Sequence, residues 1–177
     1  YSSLKFSKEE KKFWQRHFRI QSPSAIEREW DRYKGIDSEE DDAFFHFLSL
    51  RVSSIHELHL KETLITDEAL HYISKFENLS ILYLRRHRNI TKKSIPFFNE
   101  MAALKSLNIT KTQITLSDLA ENLNNPSLKE VFLSSVENEE DILEKGFILK
   151  GRMPNCSIYL DTSFTTDVFG NSLKPIF

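Results

Sequence analysis

Apolar residues recur in one spacing along the middle of the chain. The pattern apolar-x-x-apolar-x-apolar occurs at residues 55–60, 79–84, 104–109 and 128–133. Successive copies begin 24, 25 and 24 residues apart, and a weaker fifth copy, NCSIYL, ends at Leu160. The alternation in the last part of each copy predicts a strand whose apolar side chains face a core and whose intervening side chains face away from it.

The segments that follow the strands repeat as well. An Ile-Thr pair stands at 65–66, 90–91 and 114–115, and each pair is followed by apolar residues at helical spacing. This pattern predicts a strand and then a helix in each unit. No single unit of this size buries its own apolar face, so neighbouring units are expected to stack.

These units resemble the leucine-rich repeat family, in the bacterial and ribonuclease-inhibitor-like kinds that alternate strand and helix. The resemblance covers residues 52–161, as four to five units. It implies an α/β fold, a short solenoid with a parallel sheet on one face and helices on the other. Where the family often has Asn or Cys after the strand, this chain has Thr63, His87 and Thr112, which are expected to bond backbone groups of the turns.

The two ends are predicted to cover the repeats. Residues 1–51 suggest three short helices that form an N-terminal cap. Their start signals are Ser7 with Glu10 as a capping box, Ser22 before Pro23, and Ser38 before an acidic stretch. The second helix is inferred from Ile26, Trp30 and Tyr33 at helical spacing, with Gly35 as its stop. Residues 162–177 form either a C-terminal cap or a tail that docks on a partner.

The sequence carries no positive sign of catalysis, so the protein is expected not to be an enzyme and to need no cofactor. The four glycines exclude glycine-rich phosphate loops. His56 and His59 in HELH are three residues apart on a predicted strand, so they face opposite ways and predict no metal site. The single cysteine, Cys156, forms no internal disulfide and is expected to be a small buried residue.

The side chains that face away from the predicted core suggest a binding surface instead. Stacking the repeats places the following residues in one middle column: His59, Tyr83, Asn108, Phe132 and Tyr159. Ile81 and Arg85 stand beside this column. Exposed aromatic residues next to an arginine are typical of protein-binding surfaces.

We therefore expect a non-enzymatic protein-binding module that uses the concave sheet face. One specific form is an inhibitor, such as an immunity protein that occludes a secreted bacterial toxin. The alternative that leaves no binding surface is that a terminal segment folds over the column.

Two other functions stay open at this point. The basic run 85–93 holds five arginines and lysines, which would suit nucleic acid or an acidic partner. The net charge of −2 makes nucleic acid the less favoured of these. A structural assembly subunit is the third reading. No membrane-spanning segment is expected. The single cysteine fits a reducing compartment, so a cytoplasmic location is favoured. A periplasmic or secreted location stays open, because the sequence begins at Tyr1 rather than Met.

Overall fold

The protein has an α/β fold built on one parallel sheet. The structure, a computed structural model, describes residues 4–136 and 139–177. Tyr1, on which the expectation about location depends, lies outside these residues. Within the described ranges, six strands pair in the order in which they occur in the chain, and every pairing is parallel. No described helix is long and apolar enough to cross a membrane.

Strands and helices alternate from the second helix onward. The strands are β1 Glu29–Ile36, β2 Ser54–Lys61, β3 Ile81–Arg85, β4 Ser106–Asn108, β5 Glu130–Leu133 and β6 Ser157–Leu160. The helices are α1 Lys8–Phe18, α2 Asp42–Arg51, α3 Asp67–Ile73, α4 Ile95–Glu100, α5 Leu116–Asn122 and α6 Ile142–Arg152. Short 3-10 turns lie at Pro23–Ala25 and Lys92–Ser94. The predicted fifth strand is confirmed by β6.

The register of the sheet follows the apolar frame of the sequence. The central inward positions pair across five strands as Leu58, Leu82, Leu107, Val131 and Ile158, and each is at most 1% exposed. They belong to one core that also contains the apolar residues of the helices, such as Leu70, Phe98 and Leu119. Burying side chains of this size stabilises the fold by about 1.5–3 kcal/mol each, so the core selects this register over a shift by one residue.

Five of the six strands are followed by a residue in the left-handed backbone region. Five turns after strands share this feature, with φ between 49° and 61°, at Asp37, Glu62, Arg86, Lys111 and Asp161. The backbone N–H of Arg86 donates to the carbonyl of Thr110 at 3.0 Å, and that of Glu62 donates to the carbonyl of Arg85 at 3.2 Å. These bonds extend the pairing between strands into the turns, which offsets the steric cost of positive φ for a residue with a side chain.

The Ile-Thr pairs are explained by the way each helix begins. Ile65, Ile90 and Ile114 are buried, and the threonine after each accepts a hydrogen bond from a backbone N–H in the first turn of its helix. At two of these helix N-termini, a carboxylate from the preceding unit accepts hydrogen bonds from the threonine. Asp42 accepts from the N–H of Thr66 at 2.8 Å and from its hydroxyl at 2.6 Å. Asp67 binds Thr91 in the same way at 2.8 and 2.7 Å.

The first predicted helix is confirmed, and it is tied to the second. Ser7 and Glu10 form the capping box of α1 in both directions. The Glu10 carboxylate also receives two hydrogen bonds from Arg51 at the end of α2, at 2.6 and 3.1 Å. Arg51 is the main reason that the pKa of Glu10 is lowered. This pair is nearly buried, so it ties α1 to the end of α2, and both helices contribute to the core through residues such as Trp14 and Phe45.

The second predicted N-terminal helix is wrong. Residues 29–36, which include Trp30, Tyr33 and Gly35, form β1 and pair in parallel with β2. The helical spacing of Trp30 and Tyr33 has a different cause, because both place their rings against Phe18 of α1. The sheet therefore begins before residue 52, the boundary predicted for the repeats. The third predicted helix exists as α2, and its N-cap is Asp41 rather than Ser38.

The carboxylate of Asp67 allows a direct test of how neighbouring units are held together. Replacing it with alanine leaves the N–H and hydroxyl of Thr91 and the buried hydroxyl of Ser94 without their acceptor. We expect Asp67→Ala to lower the free energy of unfolding by about 1–3 kcal/mol. Glu68→Ala, at the next and exposed position, is the matched control and should change it by less than about 0.5 kcal/mol. Equal losses from urea unfolding of the two variants would contradict this account.

Candidate protein-binding face of the sheet

The predicted middle column exists as a row of aligned positions on the face of the sheet away from the helices. His59 pairs with Tyr83, Tyr83 with Asn108, Asn108 with Phe132, and Phe132 with Tyr159. Strand β1, which the sequence reading missed, adds Lys34 beside His59. We call this side, from Lys34 to Tyr159, the outer face of the sheet.

The exposure predicted for part of this column is wrong. Asn108 and Phe132 are each 4% exposed, and Tyr159 is 9% exposed. The rings of Phe132 and Tyr159 stack on each other with centroids 4.9 Å apart. Three of the five residues of the column are therefore packed and are not available to a partner in this arrangement.

The C-terminal segment lies over the covered half of the outer face. Ser163, Phe164 and Thr165 line a groove of about 310 Å³ together with Asn108 and Phe132. The Ser163 hydroxyl lies 3.3 Å from that of Thr110.

The last residues of the chain continue along the edge of the sheet. The N–H of Ile158 donates to the carbonyl of Phe177 at 2.9 Å. The ring of Phe177 occupies the space above Gly146, where a Cβ would come within 2.2 Å of it. The alternative in which the C-terminal segment packs on the molecule is thus the one seen.

The part of the outer face formed by β1, β2 and the first residues of β3 is only partly covered, and His59, Ile81 and Tyr83 border the 310 Å³ groove beside the C-terminal segment. Ile81 and Tyr83 are partly exposed, and the His59 ring lies 5.8 Å from that of Tyr83. Glu57 links this part of the surface, because its carboxylate accepts from Arg32 at 2.7 Å and lies 3.3 Å from His59 Nε2. Arg32 is the main cause of the lowered pKa of Glu57. The result is an aromatic and charged surface held by its own polar contacts.

The residues of the basic run do not share one environment. Arg85 lines a second groove, of about 360 Å³, on the covered side of the outer face. Arg86 is bound to Glu62 at 2.8 Å. His87 is 2% exposed, whereas Arg88, Lys92 and Lys93 are exposed. The run 85–93 therefore divides into a groove residue, an ion-paired residue, a buried residue and solvated cations.

His87 serves the turn, as the sequence reading predicted. Its Nδ1 lies 3.0 Å from the carbonyl oxygen of Leu84, which only accepts, so Nδ1 carries the proton. Its Nε2 then accepts from the N–H and the hydroxyl of Thr63, at 3.2 and 2.9 Å. Burial lowers the pKa of His87, so the neutral ring is the form that fits this site.

The other residues considered as metal ligands or as a nucleophile, His56, His59 and Cys156, do not form a common site. His56 lies near Glu29 and His59 near Glu57, and the two histidines share no partner. No group of three or more histidine, cysteine or acidic residues with the geometry of a metal site occurs among the described residues. Cys156 is 1% exposed, and burial raises the pKa of its thiol to about 11, which disfavours the thiolate that a nucleophile needs.

Two features of this face were missed by the sequence reading. Lys34 was assigned to a helix, although residues 30–35 fit the same frame as 55–60, one step of 25 residues earlier, with Trp30, Tyr33 and Gly35 in the inward places. The position of Ser163 to Thr165 over β4 and β5 left no periodic signal. The only sign was the apolar content of the C-terminal segment.

Comparison with known proteins adds no relative. No protein-family model matches the sequence, and no curated protein matches it.

The two halves of the outer face should respond differently to mutation. Phe132→Ala removes a ring that is 96% buried and stacked on Tyr159, so we expect it to lower the free energy of unfolding by about 3–5 kcal/mol. Tyr83→Ala removes a partly exposed ring, and we expect a loss of about 1 kcal/mol or less. Chemical denaturation of both variants tests this contrast. A large loss for Tyr83→Ala would mean that this ring also belongs to the packed part.

The buried neutral His87 predicts a dependence of stability on pH. Because its pKa is lowered by folding, the unfolded chain binds more protons, and stability is lost as pH falls below the unfolded value of about 6.5. This single group contributes a slope of at most about 1.4 kcal/mol per pH unit. The pKa of His17 is lowered too, so the test is the difference between the wild type and His87→Asn from pH 7.5 to 5. Parallel curves would contradict the assignment.

Proposed function

We propose that this chain is a short leucine-rich-repeat solenoid that binds another protein through the outer face of its sheet. The strand-and-helix units, their 24-residue to 25-residue spacing and the parallel register support the solenoid. Helix α1, packed on α2 at the first end of the sheet, serves as the N-terminal cap. In this proposal the repeats start with β1 rather than at residue 52.

The observation that carries the proposal is the open part of the outer face. Lys34, His59, Tyr83 and Ile81 are partly or fully exposed, whereas the inward residues of the same strands, such as Leu58 and Leu82, are completely buried. The exposed residues therefore add nothing to the core that their strands form. An aromatic side chain and an aliphatic one, bordered by charges of both signs, make a surface on which a protein partner can exclude water.

A binding role without catalysis also agrees with the side chains that could react. Burial of Cys156 and the separate partners of His56 and His59 argue against a nucleophile or metal site in the described chain. Inhibition by occlusion is the specific form that we favour, with a secreted toxin as the partner. Nucleic-acid binding has less support because the basic run is divided between four environments.

The test is affinity capture from the source cell with three baits. The first is the parent protein. The second is His59→Ala with Tyr83→Ala, and the third is His71→Ala with Lys75→Ala, two exposed residues on the helix side. Each bait is first checked by circular dichroism and thermal unfolding. We expect a protein that the parent and the helix-side variant retain at least about tenfold better than the outer-face variant.

Other outcomes would reject the proposal. Equal retention by all three baits would move the contact away from the outer face. Recovery of nucleic acid that is lost as salt is raised would favour the basic run instead.

A toxin among the proteins that depend on the outer face would support the inhibitor form.

A further inference from the structure

Two hydrogen-bond donors on neighbouring strands are buried without an acceptor. Over the described residues, only three side chains have a buried polar atom that lacks a partner, and two of them are Arg85 Nε on β3 and Asn108 Nδ2 on β4. The third, Trp14 Nε1, is in the aromatic cluster of the N-terminal helices. Leaving such a donor unpaired costs about 1–3 kcal/mol, and more for a charged group, so a pair of them in one place calls for a function.

Asn108 is held so that its amide nitrogen stays free. Its Oδ1 accepts from the N–H of Thr110 at 3.1 Å and from the Thr110 hydroxyl at 2.8 Å. The backbone N–H can only donate, so its bond identifies the oxygen end of the amide. Nδ2 therefore lies on the other side of the amide, and Asn108 lines the 310 Å³ groove.

Arg85 brings an unneutralised positive charge to the adjoining groove. It makes no ion pair with any described carboxylate, unlike its neighbour Arg86, which is bound to Glu62. Its position is the next outward one after Tyr83, which pairs with Asn108. From strand spacing and rise, the two Cα atoms are about 8 Å apart, a distance that an arginine side chain covers. Arg85 lines the 360 Å³ groove, and the two grooves share Ser163 and Phe164.

The part of the C-terminal segment that lies beside these donors, residues 162–165, makes few hydrogen bonds to the sheet. The contact of Ser163 with Thr110 at 3.3 Å is its one side-chain hydrogen bond to the sheet among the described residues. The other bonds of Thr162 and Phe164 are within the segment itself. The Phe164 ring is 64% exposed. Little has to be broken for a ligand to displace Ser163 and Phe164 and reach the donors.

We propose that Arg85 and Asn108 form a receptor for a carboxylate side chain of an acidic peptide segment, which displaces residues 163–164 from the outer face. A planar carboxylate has two acceptor oxygens, which match a guanidinium N–H and an amide N–H. Asp161 lines the 360 Å³ groove and Glu130 lines the 310 Å³ groove. Because these carboxylates repel negative charge, a singly charged carboxylate fits better than a doubly charged phosphate. This inference rests on the proposed function, because it names the chemistry of the partner at that face.

The first test uses the 15N-labelled protein and two blocked dipeptides, diglutamate and diglutamine, that differ only in charge. Arg85 Nε–H and the Asn108 side-chain amide are observed by nuclear magnetic resonance. We expect the acidic peptide, and not the neutral one, to shift both signals. Arg85→Gln and Asn108→Asp should each weaken that binding at least about tenfold. Arg86→Gln, which removes an equal charge one residue away, is the matched control and should leave it unchanged.

Three results would overturn the inference: no shift, equal shifts with both peptides, or a shift with inorganic phosphate alone. Thermal unfolding verifies that each variant is folded.

Capture of the partner separates the carboxylate site from the proposed function. A partner lost with His59→Ala and Tyr83→Ala but kept by Arg85→Gln and Asn108→Asp would refute the carboxylate site and leave the proposed function standing. Acidic-peptide binding without any partner that depends on the outer face would do the reverse.

Discussion

Parallel pairing of each strand with the next, at an offset of 24 to 27 residues, is the constraint on which this structure depends. Once one strand is placed, the next must lie beside it with the same inward positions, since a shift by one residue would turn its leucines toward solvent. Side-chain hydrogen bonds follow the same offset. Thr63 meets His87, Thr66 meets Asp42, and Arg86 meets Glu62, each 24 residues away. The contact of Asp42 with Thr66 recurs in the next unit as that of Asp67 with Thr91, so the loss of one acceptor should weaken the junction between two units.

The constraint also explains which parts of the fold could be predicted from the sequence. Inward leucines at fixed spacing identify β2 to β6 because only apolar side chains are tolerated there. Strand β1 follows the same frame with Trp30, Tyr33 and Gly35. It was mistaken for a helix because a separation of three residues occurs both in the strand frame and on a helix face. Pairing with β2 decides between the two, and that pairing is a property of the whole sheet rather than of the segment.

The outer face shows a different limit of prediction. Alternation determines that Tyr83 and Phe132 point away from the helices, and both do. It does not determine whether a distant segment covers them. The C-terminal segment reaches over β4 and β5 through a few irregular contacts, such as Ser163 with Thr110, and such contacts leave no period to detect. The residues of the middle column are therefore aligned as predicted, whereas the exposure of Asn108, Phe132 and Tyr159 was predicted incorrectly.

At the boundary between the open and covered halves, two buried side-chain donors have no hydrogen-bond acceptor in the described part of the chain. Elsewhere along the sheet, turn donors find acceptors on the next strand, and buried polar residues such as His87 and Ser94 are bonded. The donors of Arg85 and Asn108 are buried without an acceptor, beside residues 163–164, whose side-chain hydrogen bond to the sheet side is that of Ser163 with Thr110. A chain that satisfies its polar groups so regularly departs from that rule mainly where function requires it. In the proposed mode of binding, the covered half of the face becomes accessible only when a ligand with a negatively charged carboxylate displaces residues 163–164.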